Sequence, residues 1–329
     1  MEENKVRNKK QSQIKEIWKR FRKNPLAMIG LVIIILMLAL AATADILAPG
    51  DPVLGIPGYN LQTWDRAAQN QPPSAENIFG TDNLGRDVFS RIAHGSRVSL
   101  LVGFVVIITG MTAGITLGAI SGFYGGVTDN LIMRICDIIL AMPTILLAIA
   151  ITTTLGPGIR NVMIAVGIAV IPSYARIVKA QVLTQKEQEF VEAARSCGAS
   201  NFRLIRRHVL PNCTAPIIVE ATMGMAGAIL TAAGLSFIGI GLQPPTPEWG
   251  AMLSDGRQWM MSGVWHLTVF PGVFIALLIF SLNMMGDGLR DAFDPKLRGA
   301  GVTAKKFRKL QLARLKAEEE AEAESTEVL

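Results

Sequence analysis

Three stretches of this chain, residues 26–44, 98–128 and 221–247, contain no Asp, Glu, Lys or Arg. An α-helix rises 1.5 Å per residue, so about 20 apolar residues cross the ~30 Å hydrocarbon core of a bilayer. Runs of this length leave little room for a soluble fold. The composition agrees: 50 % of the 329 residues are hydrophobic and 18 % are charged, against about 25 % charged in ordinary soluble domains. Collagen, disorder and a disulfide-stapled scaffold are excluded by the same numbers. The chain reads as an all-α, polytopic membrane protein.

Six spans are expected, near 26–44, 98–122, 132–154, 162–180, 213–240 and 267–286. The distribution of Lys and Arg sets their orientation. Residues 1–25 carry nine, the loop 181–212 five and the segment 290–316 nine, a total of 23. The opposite face receives six, four of them in the long loop 45–97. Both termini are therefore expected on the cytoplasmic side. The layout is a basic N-terminus (1–25), a first span (26–44), an external loop (45–97), a five-span core (98–290) with a cytoplasmic loop (186–212), and a cytoplasmic tail (291–329). The net charge of +6 reflects that asymmetry and carries no nucleic-acid signature.

Ala42-Thr43-Ala44 resembles a signal-peptidase site, but its 19-residue apolar run exceeds the usual 7–15 of a signal sequence; a retained span is expected. Cys136, Cys197 and Cys213 lie outside the external segments and lack metal-ligand spacing, so they read as small packing residues. Gly110, Gly114, Gly118 and Gly122 recur every four residues and form one helix face on which another helix packs closely. Pro143 is expected to be tolerated within the third span, neighbouring helices satisfying the freed carbonyl. Arg134 and Asp137, three apart, are placed to pair.

The most informative segment is 186–212. A short helix is expected over 187–197, with Glu187, Glu189 and Glu192 near its start. Gly198 suits the left-handed turn that ends it, and Ser200 the N-cap of a second helix bearing Arg203, Arg206 and Arg207. Pro211 then opens the fifth span. Residue types alone leave two readings open: insertion into a groove on a partner protein, or an amphipathic element resting on anionic lipid.

Glu192-Ala193-Ala194-x-x-x-Gly198, followed by Leu210-Pro211, resembles the EAA loop of ABC importer permeases. His208, within Arg207-His208-Val209-Leu210-Pro211-Asn212, departs from the general pattern and is similar to the dipeptide/oligopeptide branch. Three further stretches resemble the C-type subunits of that branch. They are Gly80-Thr81-Asp82-x-Leu84-Gly85-Arg86-Asp87, the run from Leu235-Ser236-Phe237 to Gln243-Pro244-Pro245-x-Pro247-x-Trp249-Gly250, and Gly286-Asp287-Gly288-Leu289-Arg290-Asp291. The resemblance implies a type I importer permease fold and a non-enzymatic subunit. It also implies a second, B-type permease, two ABC ATPase subunits that use ATP and Mg, an extracytoplasmic solute-binding protein, and a di- or oligopeptide substrate. It makes Glu192, Ala193, Ala194 and Gly198 ATPase-docking residues, in a coupling loop completed by Arg203, Arg206, Arg207, Leu210 and Pro211. No cofactor is expected on this chain, which lacks a Gly-x-x-x-x-Gly-Lys-Ser/Thr phosphate loop.

Three rival functions compete with this reading. A proton-coupled carrier keeps ionisable residues at mid-membrane; Glu220 is the one carboxylate well inside the fifth span, and is read instead as a polar contact to the partner permease or a water-filled path. An intramembrane serine protease built on Ser236 needs a base within reach, and His94 and His266 are expected outside the spans. A nickel or other small-solute permease is the nearest alternative, but Met223, Met225, Met260 and Met261 read as packing.

Overall fold

The computed structural model describes residues 15–48, 69–242 and 246–294. Most of the N-terminal basic stretch, the middle of the loop 45–97, residues 243–245 and the tail beyond 294 lie outside them. By their contacts, Asn24–Asp287 form one unit and the two chain ends another. In the latter, Trp18 stacks on Phe21 with centroids 5.8 Å apart and Arg20 pairs with Glu16. The described residues form helices and a single bridge, Thr81 with Asp87, and no strand.

Helix α1 (Pro25–Ala42) starts where Asn24 accepts hydrogen bonds from the amides of Leu26 and Ala27, at 3.1 and 3.2 Å. Pro25 sits at the first helical position, where its missing N–H costs nothing. A Cβ on Gly30 would lie 2.6 Å from the Ser281 carbonyl, so α1 packs backbone to backbone on the last span.

Helix α2 (Val88–Tyr124) has 37 residues, about 55 Å at 1.5 Å each, and begins ten residues before the expected second span. Its extra turns carry Arg91 and His94, polar residues that hydropathy assigns to a loop but that are buried here. Asp87 caps it, accepting from the Ser90 amide at 2.7 Å.

The expected single third span is two helices, α3 (Gly126–Leu140) and α4 (Thr144–Leu155), bent by 89°. Pro143 breaks the helix where a gentler accommodation was expected. It donates no N–H and its ring excludes the preceding helical geometry. Each limb has its own support, so continuity is not needed: α4 buries Ala148 in a cluster with Val162 and Val166, and α3 is held by ion pairs. Asp129 accepts from Lys179 at 2.6 Å and from the Ser121 hydroxyl at 2.5 Å. Asp137 pairs with Arg176 at 2.6 Å, not with Arg134 as expected, because the helix that follows α4 in the chain brings a base closer than α3's own surface does.

Helix α5 (Ile159–Lys186) runs beside α2. A Cβ at Gly110 would fall 2.4 Å from Val170, at Gly114 2.4 Å from Tyr174, at Gly118 2.4 Å from the Ala175 carbonyl, and at Gly122 3.0 Å from the Lys179 carbonyl. The glycine stripe therefore allows a close backbone approach along four turns. Partners advance together along both chains, so α2 and α5 are parallel, and the segment between their ends must carry the chain back once. Counted as one crossing, the broken pair brings the candidate spans among the described residues to six. After α6 (Glu189–Ser196) come α7 (Thr214–Phe237), the short α8 (Trp249–Arg257) and the last span α9 (His266–Phe293).

Candidate functional site: the coupling hairpin and the capped opposite end

The segment between α5 and α7 folds as a hairpin. Its first limb is α6, starting at Glu189; Glu187, expected in that helix, instead ends α5. Gly198 turns the chain with φ +80°, and a Cβ there would touch nothing within 4 Å. Ser200 holds the extended N-cap backbone, but its side chain makes no capping bond; its carbonyl accepts from Leu204 at 2.9 Å. The second limb is not the separate short helix expected. It passes from one α-turn (Asn201–Arg203) through a π-helix (Leu204–Val209) and a 3₁₀ turn (Leu210–Cys213) into α7. Pro211, expected to open the span, lies inside this run. Its missing N–H and its ring bulk are absorbed by the wide and then tight turns on either side. Asn201–Phe237 is consequently one helical rod.

The hairpin has two faces. Val191, Leu204, Val209 and Cys213 are buried against Ala119, Val178 and Val182 near the C-terminal ends of α2 and α5. Glu192, Ala193, Gly198, Arg203, Arg206, Arg207 and Pro211 are exposed, with Phe190 and Phe202 beside them; Ala194 and Leu210 are half-buried at the seam. The Arg195 guanidinium lies 6.0 Å from the Phe123 ring centroid. The arrangement brings the expected docking residues onto one surface. Glu220 stands apart, half-buried on α7, where its backbone carbonyl is 3.4 Å from the Tyr174 hydroxyl.

The other end of α2 is built differently. Asp82 accepts from the amides of Leu84 and Arg86, each at 2.9 Å, and from Arg86 Nε at 2.7 Å. Gly80 and Gly85, at φ +76° and +79°, make the turns this requires. Trp249 is wholly buried and donates to the Ile92 carbonyl at 3.1 Å. Glu248, which the sequence motif left as an unspecified position, caps α8 by accepting from the Gly250 and Ala251 amides at 3.0 and 2.8 Å. Glutamate is not a favoured cap, so no sequence signal marks it. Burial pushes the Glu248 carboxyl above its ordinary range, against these two amides and the Ser236 hydroxyl. Burial likewise raises Asp87 and Asp255, the latter opposed by Arg91 and Arg86. Hydrogen bonds from Arg97 hold Asp45 low.

Ser236 faces Glu248 and the Leu242 amide. His94 and His266 contact the carbonyls of Ala48 and Thr81 at 3.1 and 3.2 Å. Both histidines are thus engaged elsewhere than at the serine. Among the described residues no group of three or more metal-ligating side chains converges.

Six candidate spans among the described residues, with an exposed inter-span hairpin, define a multi-pass membrane protein. Residues 114–299 match the family described as the binding-protein-dependent transport system inner membrane component, and residues 12–73 match the N-terminal transmembrane domain of oligopeptide transport permease C. The chain belongs to this family of ABC importer permeases, whose place is the inner membrane. It is 47 % identical over 284 residues to the dipeptide transport system permease protein DppC of Alkalihalophilus pseudofirmus, covering 86 % of this chain and 90 % of that one. It is 44 % identical over 291 residues to the di/tripeptide permease DppC of Pseudomonas aeruginosa, covering 88 % and 94 %. It is 43 % identical over 284 residues to the glutathione permease GsiD of Pectobacterium atrosepticum, covering 86 % and 91 %. In fold it is similar to an inward-facing structure of the MetNI methionine ABC transporter, with TM-score 0.51 and 19 % identity over 62 % of this chain and 97 % of that one.

Proposed function

We propose that this chain is the C-type permease of a di- or oligopeptide importer. In this reading it pairs with a B-type permease, receives peptide from an extracytoplasmic solute-binding protein, and is driven by two ABC ATPase subunits that hold the ATP and Mg. The hairpin docks on those ATPases through Glu192, Ala193, Ala194 and Gly198, with Arg203, Arg206, Arg207, Leu210 and Pro211 completing the surface. Glu220 faces the partner permease or the water-filled path. The hairpin lies on the cytoplasmic side with both termini, a reading supported by the 23-to-six distribution of basic residues.

The observation that supports docking most is the two-faced hairpin on a rigid rod. Its apolar side is spent on the inner ends of α2 and α5, so its charged side is free for a partner. Because Asn201–Phe237 is one helical run, a displacement at Arg203 or Arg206 passes into the fifth span without a loop to absorb it. The peptide assignment is supported by the names of the relatives. The test is reconstitution. Peptide uptake in liposomes should need this chain, the second permease, both ATPases and the binding protein, and this chain alone should hydrolyse no ATP. Uptake by this chain alone, driven by a proton gradient, would replace the ABC reading with a secondary carrier. In a background without native cysteines, an impermeant thiol reagent added outside should label Thr246→Cys and miss Ser200→Cys; the reverse pattern would invert the orientation.

A further inference from the structure

A slot of about 370 Å³ runs along α5 beside α2. Its α5 wall is the stripe Arg160, Met163, Ile164, Gly167, Ile168 and Ile171, one helix face over three turns; Val105 and Thr109 close it from α2. From Arg160 to Ile171 it measures roughly 16 Å at 1.5 Å per residue, about half of the ~30 Å hydrocarbon core. Three properties restrict what fills it. The wall is apolar apart from its two polar members. The Thr109 hydroxyl is already committed to the Val105 and Val106 carbonyls, at 2.8 and 3.1 Å. Arg160, at the end where α5 begins, is exposed and has no hydrogen-bond or ion-pair partner among the described residues.

We propose that this slot binds one anionic phospholipid, its phosphate on Arg160 and one acyl chain laid along α5 as far as Ile171. A half-bilayer length with a cation at its outer end matches a lipid of one leaflet, and a guanidinium matches a phosphate at headgroup depth. A peptide lying in the slot would leave its backbone N–H and C=O groups unanswered, since the wall offers no free donor or acceptor beyond Arg160. The lipid would brace the α2–α5 pair where the glycine stripe already brings the helices together, and would make the subunit sensitive to the charge of its membrane.

Native mass spectrometry tests this on the full-length chain and on its assembled complex, each delipidated and then given equal palmitoyl-oleoyl phosphatidylglycerol and phosphatidylcholine. One phosphatidylglycerol per chain should be retained in preference to phosphatidylcholine. Arg160→Gln should weaken that preference roughly fivefold, the scale of one basic residue near an anionic lipid, and Arg160→Lys should restore most of it. Ile168→Trp, on an exposed position, should displace the acyl chain and lower retention of both lipids. A photo-crosslinker at position 168 should attach to lipid. Equal retention of the two lipids, an unchanged preference in Arg160→Gln, or loss of the lipid on assembly with crosslinking to the second permease or to peptide would each overturn the proposal.

Discussion

The two ends of α2 solve opposite problems. At the Asp87 end, Asp82, Arg86, Arg91, His94, Glu248 and Trp249 are all buried; backbone groups answer Asp82, His94, Glu248 and Trp249, and the Asp82 carboxylate faces Arg86 and Arg91 at 2.7 and 3.6 Å. At the Tyr124 end most polar residues of the hairpin face outward, and it is held to the spans by apolar contacts and by Arg195 against the Phe123 ring. A buried polar network with satisfied partners fixes one geometry and is costly to open, which suits a clamp that joins α2, α7 and α8. An element held by a few apolar side chains, with its charges free, suits a surface that must meet another protein and move with it. The comparison predicts a separation: substitutions at the first end lower stability, and those at the second lower coupling.

The largest effect should come from Trp249→Ala. It removes a fully buried indole together with its hydrogen bond to the Ile92 carbonyl, a loss of about 3–5 kcal/mol by analogy with other buried aromatics. Thermal unfolding of the detergent-purified chain measures this. A loss below about 1 kcal/mol would mean that the end is not a clamp.

A smaller effect should appear in the pH dependence of stability. A carboxyl whose folded-state pKa is raised keeps its proton longer in the native state than in the unfolded one. Stability is therefore full below the ordinary Glu range and declines as pH climbs from there to the raised value. Glu248 should contribute such a decline, and Glu248→Gln should make the profile flatter across that window. Asp87 and Asp255 are shifted the same way, so some slope should remain. A profile unaltered by Glu248→Gln would remove Glu248 from the account.

The smallest effect on stability should be that of Arg206→Ala. Its side chain is exposed and outside the apolar anchor, and such surface changes stay within about 0.5 kcal/mol. A larger drop in unfolding temperature would show that the hairpin's outer face is part of the fold rather than a surface for a partner.

How much of this was legible in the sequence follows from what each signal measures. The glycine stripe was legible because helix-face periodicity and close packing share one cause, the missing side chain. The hairpin was legible through Glu192-Ala193-Ala194 and Gly198, since a left-handed turn without a Cβ leaves a residue-level mark. The 89° break was not, because mean hydropathy over a window reports length and apolarity but no direction, and Pro143 fits either a kink or a break. The early start of α2 was hidden for a related reason: Arg91 and His94 look like loop residues until the folded Asp82 turn and the distant Ala48 carbonyl are seen beside them. The Asp137 pairing failed likewise, since a local i,i+3 rule cannot see Arg176 on another helix. The π-to-3₁₀ passage at Pro211 needed the anchoring of Leu204 and Val209, which only the packed spans supply.

The most direct test of the central claim, that the hairpin transmits between ATPases and spans, is Gly198→Arg compared with Gly198→Asn. Either side chain has open space at this position. Asn tolerates φ +80°, whereas Arg adds strain of roughly 1–2 kcal/mol and places bulk and charge where a partner surface would lie. Peptide uptake and binding-protein-stimulated ATP hydrolysis should be measured on assembled complexes matched for subunit content. The account predicts that both activities fall together in Gly198→Arg, with the spans still inserted, and that Gly198→Asn stays near wild type. Full uptake and full stimulated hydrolysis in Gly198→Arg would contradict it.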